Sequence, residues 1–307
     1  MSVKHPRVAV LLAAYNGMQW IDEQLTSILD QVGVDVTVYI SVDTSTDGTE
    51  VWCENYANNH SSVIVLPPAG TFGGAARNFF RLIRDVELYH FDFVAFADQD
   101  DIWHSDKLER ATSAIQECKV DAYSSNVTAF WPNGGTHLLN KAQPQVEWDF
   151  LFEAAGPGCT YVMGREVIEM LKASVTANWV QLQNVSLHDW YCYAFARSHG
   201  FRWYIDPKSS MEYRQHERNQ IGANKGLSSL ISRYKTIYDG WWFSQVQLIT
   251  RLVGRGADPF VREWLSLRRA QLLRLSFSAW RCRRRRRDKV FFFCICWATA
   301  LIGKKVR

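Results

Sequence analysis

Four apolar runs of strand length, at residues 8–14, 34–42, 62–66 and 91–97, alternate with segments whose apolar residues recur at helical spacing. After the first run, Asn16 and Gly17 break the chain direction. Trp20, Ile21, Leu25, Ile28 and Leu29 then predict a helix over residues 18–31. Helices are expected likewise up to about residue 58 and over 75–86. Parallel strands need long crossovers, so this alternation predicts an α/β fold: a mostly parallel sheet flanked by helices, with ligands gathered at the carboxyl ends of the strands. Asp43 and Asp98 both stand at such ends.

The fourth run stops abruptly at Asp98, Gln99, Asp100 and Asp101, three carboxylates within four residues. A buried strand that delivers clustered acid to its own tip can hold a hard divalent cation, with a phosphorylated ligand completing the shell. The competing reading is a capped helix over residues 102–117, since acids favour helix N-termini. One Asp suffices for a cap, and three favour the cation. Neither a dinucleotide fingerprint nor a P-loop follows the first strand. Asp43 is the better candidate for nucleotide recognition, able to accept from a base N–H or a ribose hydroxyl, or else to form a local Asx-turn. Arg77 opens a helix behind a Gly-rich loop, where a cation meets base or diphosphate, or makes a surface ion pair.

Further on, residues 120–130 read as another strand and 131–145 as turn-rich, marking a hand-over from a nucleotide half (1–130) to an acceptor half (131–225). Gly156 and Gly158 permit close backbone approach or a plain turn. A helix is expected over 165–173. Asp189 opens a strongly apolar helix, where partial burial would raise its pKa and suit it as a general base; an N-cap role competes. His216 interrupts a probable strand and reads as metal ligand, phosphate contact or loop residue.

Taken in order, Ala14, Tyr15, Asn16 and Gly17; Asp43, Asp47 and Gly48; Gly73, Gly74, Arg77 and Asn78; Asp98, Gln99, Asp100, Asp101, Ile102 and Trp103 with Asp106, Lys107 and Leu108; His188, Asp189 and Trp190; and Tyr213, Arg214, Gln215 and His216 carry a resemblance. Over about residues 6–225 the chain resembles family-2 inverting glycosyltransferases of the GT-A fold, and among them bacterial rhamnosyltransferases of lipopolysaccharide and O-antigen assembly. The resemblance implies a nucleoside-diphosphate sugar donor (dTDP-rhamnose or a UDP-sugar) held by Ala13, Tyr15, Asn16, Asp43, Arg77, Asp98, Gln99 and Gly158. It implies a divalent metal, Mg2+ or Mn2+, on Asp100 and His216, with Asp189 as catalytic base. The acceptor would be lipid-linked or lipopolysaccharide saccharide. Val42 replaces the first Asp common in the family, and His188 stands where an acid often precedes the base. A non-catalytic nucleotide-sugar or membrane-binding module of the same fold is the alternative.

Charge is divided unevenly. Residues 251–307 hold 16 of the 35 Lys+Arg and 3 of the 31 Asp+Glu, so a body near −9 carries an end near +13. Beyond residue 225 the pattern becomes helical, over 227–253 and 259–277, and an arginine run at 281–287 leads into an apolar run at 290–302. That run falls short of the roughly 20 residues a spanning helix needs. It is expected to lie in an anionic membrane surface through residues 281–307, with Phe291, Phe292, Phe293 and Trp297 inserted and arginines at the headgroups. Packing of the segment on the body is the competing reading. No aromatic-basic platform or zinc spacing supports nucleic-acid binding. With seven unpatterned cysteines and no secretory leader, the expected location is the cytoplasmic face of the inner membrane, peripherally bound.

Overall fold

The computed structural model describes residues 4–216 and 240–302. One sheet of nine strands organises them, in the order β3 (Val63–Val65), β2 (Asp35–Val42), β1 (Arg7–Ala14), β4 (Phe93–Ala97), β8 (Val162–Gly164), β6 (Ala122–Phe130), β9 (Trp203–Arg214) and β5 (Ile102–Trp103), with β7 (Thr136–Leu139) beside β6. The β3-β2-β1-β4 half is parallel. β8 runs antiparallel between β4 and β6, and β6 is parallel to β9.

Side chains along β1 and β4 alternate between two cores. Ala9, Leu11, Val94 and Phe96 face one; Val8, Val10, Leu12, Phe93, Ala95 and Ala97 face the other. Both faces are therefore apolar, and the sheet is covered on each side as a parallel sheet requires. The helices α1 (Ile21–Leu29), α2 (Thr49–Asn59) and α4 (Lys107–Glu117) cover one face. On the other lie α3 (Ala75–Asp85), α5 (Arg165–Ala177) and α7 (His188–Ser198); the short α6 (Trp179–Leu182) links the last two.

Two expectations need correction. Ile102 and Trp103 do not begin a helix; they pair antiparallel with Met211 and Glu212 as β5, and α4 starts only at Lys107. The Trp103 N–H donates to Ser27 Oγ at 3.0 Å, a tertiary bond that replaces a helical one. Nor does Asp101 cap that helix: it is fully buried, and one of its oxygens accepts from the Arg214 N–H at 3.1 Å.

After Gly240 the chain forms α8 (Trp241–Leu252), α9 (Pro259–Arg262), α10 (Arg269–Phe277), α11 (Ala279–Cys282) and α12 (Arg286–Ile302). The expected 227–253 helix lies outside the described residues before Gly240. These helices join the α3/α5/α7 core through Phe243, Val261, Leu272, Phe292 and Cys296. Much of the arginine run faces inward. Arg284 is buried, giving its Nη1 to Asp149 Oδ2 at 3.1 Å and its Nη2 to Ala154 O at 2.6 Å, while its backbone N–H donates to Glu153 Oε1 at 2.7 Å. Arg283 donates to Phe152 O, and Arg281 is bidentate on Glu147. Phe292, expected in the membrane, instead packs edge-on against Phe152 and Trp242. Burial outweighs Arg284 and Arg197 and raises the Asp149 carboxyl above its usual value, so this pair specifies where the chain end docks more than it stabilises. Arg284→Met, which strands a buried carboxylate, is expected to cost about 3 kcal/mol in urea unfolding, and adding Asp149→Asn is expected to restore some of that loss.

Candidate active site

The loops after β1, β2 and β4 meet at one edge of the sheet. The Asn16 N–H donates to Ser45 Oγ at 3.0 Å and Asn16 Oδ1 accepts from the Thr46 N–H at 2.8 Å, with Asn16 itself in the left-handed region at φ 47°. The Gly17 N–H donates to Thr49 Oγ1 at 2.8 Å. Gln99 grips the Tyr15 backbone with two bonds, accepting its N–H at 2.7 Å and donating to its carbonyl at 2.8 Å. A Cβ on Gly17 would collide with the Gln99 amide, which is why glycine follows Asn16. Tyr15 leaves its ring exposed, and Ala13 closes the strand beside Ser41.

Asp43 is buried with both oxygens in use. Oδ1 accepts from the N–H groups of Thr44 (2.9 Å) and Phe72 (2.7 Å), and Oδ2 from Gly73 (2.8 Å). The carboxylate thus shapes the 71–74 loop. Arg77 supports the same loop, donating to Phe72 O at 3.1 Å and to Gln183 O at 2.9 Å. Beneath them Asn78 donates to Ser41 O at 2.9 Å, and the buried Arg81 donates to Ser41 Oγ at 2.7 Å.

At the tip of β4 the acids separate by environment. Asp100 Oδ2 lies 2.7 Å from His216 Nε2, across 116 residues of sequence, and the imidazole stacks on Trp20 at 4.2 Å. Arg214 donates through Nε to Asp100 O at 2.8 Å and pairs with Glu23. Burial first, then Asp100 and Asp189, raise the Asp98 carboxyl. Asp101 is raised by burial and by the charges of Asp100 and Asp98. Ligand atoms of Asp98, Asp101 and Cys159 lie within 4.8 Å of one another. Burial also raises the Cys159 thiol, so this is a proton-rich cluster with a soft ligand, poorly matched to a hard cation. Asp100 and His216 form the more open oxygen-nitrogen pair. Lys107 sits behind Asp101 with its amine 3.5 Å above the Trp103 ring, its pKa pushed down to about 8 by burial.

Asp189 occupies the first turn of α7, one oxygen accepting from the Trp190 N–H at 2.7 Å. Burial lifts its pKa to about 6, against the opposing Trp190 N–H and Lys141 charge. His188 stacks on Phe79 at 3.9 Å, and burial drops its pKa to about 3, so it stays neutral. Gly158 closes over both: a Cβ there would stand 2.6 Å from His188 Nε2 and 3.2 Å from Asp189 Cβ. All the site residues expected from sequence lie within the described residues. The Trp20 stack, the Ser41–Asn78–Arg81 network and Lys141 were not foreseen. Trp20 read only as an apolar helix position, and Asn78 offered a signal only as the neighbour of Arg77.

Residues 5–225 match the family described as glycosyltransferase like family 2. The chain belongs to that family. It is 42% identical over 281 residues, 91% of this chain and 96% of the relative, to the dTDP-rhamnosyl transferase RfbG of Shigella flexneri. It is 30% identical over 161 residues, 52% of this chain and 62% of the relative, to the putative teichuronic acid biosynthesis glycosyltransferase TuaG of Bacillus subtilis. Among solved structures, S. aureus TarS residues 1–349 in complex with UDP superposes with a TM-score of 0.57 at 15% identity, covering 98% of this chain and 93% of that one; the two share a fold. The protein is a glycosyltransferase, and the GT-A architecture expected from its sequence is the one it adopts. Gly158→Ala is expected to push the His188 ring off Phe79, lowering stability by about 1–3 kcal/mol in thermal melts and cutting sugar transfer.

Proposed function

We propose that this enzyme transfers rhamnose from a dTDP-linked donor, with inversion, to a hydroxyl of a lipid-linked or lipopolysaccharide saccharide. The likeness to RfbG over nearly the whole chain supports the donor. The observation that carries the chemistry is Asp189, a half-buried carboxyl with its pKa lifted to about 6, whose charge is felt by Asp98 at the sheet edge. A base with a pKa just below neutrality is ionised at working pH yet retains proton affinity.

In this reading Asp189 takes the proton from the acceptor hydroxyl as its oxygen attacks the anomeric carbon from the face opposite the diphosphate. The carbon–oxygen bond to phosphate breaks, its electron pair leaves with the nucleotide, and configuration inverts. Ala13, Tyr15, Asn16, Asp43, Arg77 and Gln99 form the nucleotide side, with Asp98 and Gly158 at the donor sugar. The Asp100–His216 pair fits Mg2+ or Mn2+, and such a cation supplies charge to a leaving diphosphate. Asp189→Asn is expected to reduce transfer by about 10^2 to 10^4 while leaving dTDP affinity near wild type. Because the carboxylate is the active form, kcat/KM is expected to fall tenfold per unit below pH about 6 and to level above it. Transfer by the Asn variant within a few-fold of wild type would remove Asp189 as base and favour a binding module.

No helix among the described residues is long and apolar enough to cross a membrane. Peripheral attachment at the cytoplasmic face of the inner membrane is supported instead by exposed Phe277, Trp280, Val290 and Leu301, with Phe293 linking Phe277 to Trp297. Arg286 and Arg287 are exposed at the start of α12. Since α11 and α12 belong to the core, deletion of 281–307 would damage the fold. The double variant Phe277→Ser/Trp280→Ser is the cleaner probe, expected to lose most pelleting with anionic liposomes; undiminished pelleting would exclude this face.

A further inference from the structure

Lys141 lies in the turn after β7, and its backbone is fixed while its amine is uncommitted. The buried Asn126 accepts both the Lys141 N–H (2.6 Å) and the Ala142 N–H (3.1 Å) through one oxygen. The residue is exposed by surface area, yet protein stands close enough around its amine that desolvation lowers its pKa, with Glu153 opposing; among the described residues that amine makes no hydrogen bond or ion pair. The acids whose charge reaches it are engaged elsewhere: Glu153 with Arg283 and Arg284, and Asp288 with Arg283 and Arg287. Among the described residues Lys141 is therefore a cation of this wall with no acid partner.

Its position is set by the glycine loop. A side chain on Gly156, at φ 142°, would lie 3.6 Å from Lys141 Cβ, and one on Gly158, two residues on, would lie 3.2 Å from Asp189 Cβ. Lys141 and Asp189 thus flank one short segment. Asp98 feels Asp100 and Asp189, whereas Asp189 feels Lys141. Lys141 is thus near enough for its charge to act on Asp189.

We propose that Lys141 is an acceptor-binding residue whose ammonium holds a phosphate or diphosphate group of the acceptor beside Asp189. The inference rests on the acceptor class proposed above, since lipid-linked and lipopolysaccharide saccharides both carry phosphate. An ammonium on an exposed, pinned loop makes charge-assisted bonds to phosphate as a point charge.

The test titrates full-length protein, saturated with dTDP, with farnesyl diphosphate against farnesol and with glucose 6-phosphate against glucose, following tryptophan fluorescence. Wild type is expected to bind at least one phosphorylated probe about tenfold tighter than its neutral partner. Lys141→Met is expected to abolish that preference and Lys141→Arg to keep it. A preference in the farnesyl pair points to a lipid diphosphate, and one in the glucose pair to a saccharide phosphate. A preference that survives in Lys141→Met, or is missing in wild type, overturns the assignment. So does a Lys141→Met variant with undiminished preference whose donor hydrolysis profile shifts to higher pH, which would make the lysine a charge partner of Asp189 only. A failure of dTDP-rhamnose turnover in wild type would count against the proposed function and leave the binding result standing.

Discussion

The return of β9 to the tip of β4 is the contact on which the site depends. Three carboxyls cannot share the end of a buried strand unless something satisfies them, because burial and mutual repulsion both oppose ionisation. The end of β9 provides that satisfaction for Asp100 and Asp101, while Asp98 draws on the Cys159 thiol. The Arg214 N–H bonds Asp101, its guanidinium bonds the Asp100 carbonyl and Glu23, and His216 meets the Asp100 carboxylate. The short β5–β9 pairing aligns these groups. It also explains why α4 begins late: the residues that would have formed its first turn are committed to the sheet.

From that point the acids take different roles through environment. Asp100 keeps a slightly exposed position beside His216, whereas Asp98 and Asp101 are pushed toward the neutral form by burial and by the Asp100 charge. Asp189 arrives from α7 on the opposite side, lifted to about 6 by burial and tempered by a backbone N–H. Gly158 allows these two halves to approach, since any side chain there would strike His188. His188 is a packing residue, stacked on Phe79 and kept neutral.

The basic chain end shows how composition can mislead about where charge goes. A run of arginines beside aromatics suggested a membrane surface, yet Arg281, Arg283 and Arg284 are paired with Glu147, Glu153 and Asp149 on the segment leading to Gly156. These pairs join the acidic body to its basic end, so much of the opposed charge is spent within the molecule. What remains outward, Phe277 and Trp280 with Arg286 and Arg287, is a smaller and differently composed face.

By itself the sequence determined the alternating strands and helices, the parallel half of the sheet and the edge at which Asp43, Asp98 and Asp100 would collect. Those features follow from local periodicity and from the crossover that parallel strands demand. It also singled out Asp189 and His216, but only as members of an ordered series, since an isolated acid or histidine carries several readings. Only the tertiary structure decided that Ile102 and Trp103 are strand, that Trp20 backs His216, that Arg284 is buried and that the Lys141 charge acts on Asp189. Each of these depends on a partner remote in sequence. Such contacts are set by which elements pack together, and no local spacing encodes them.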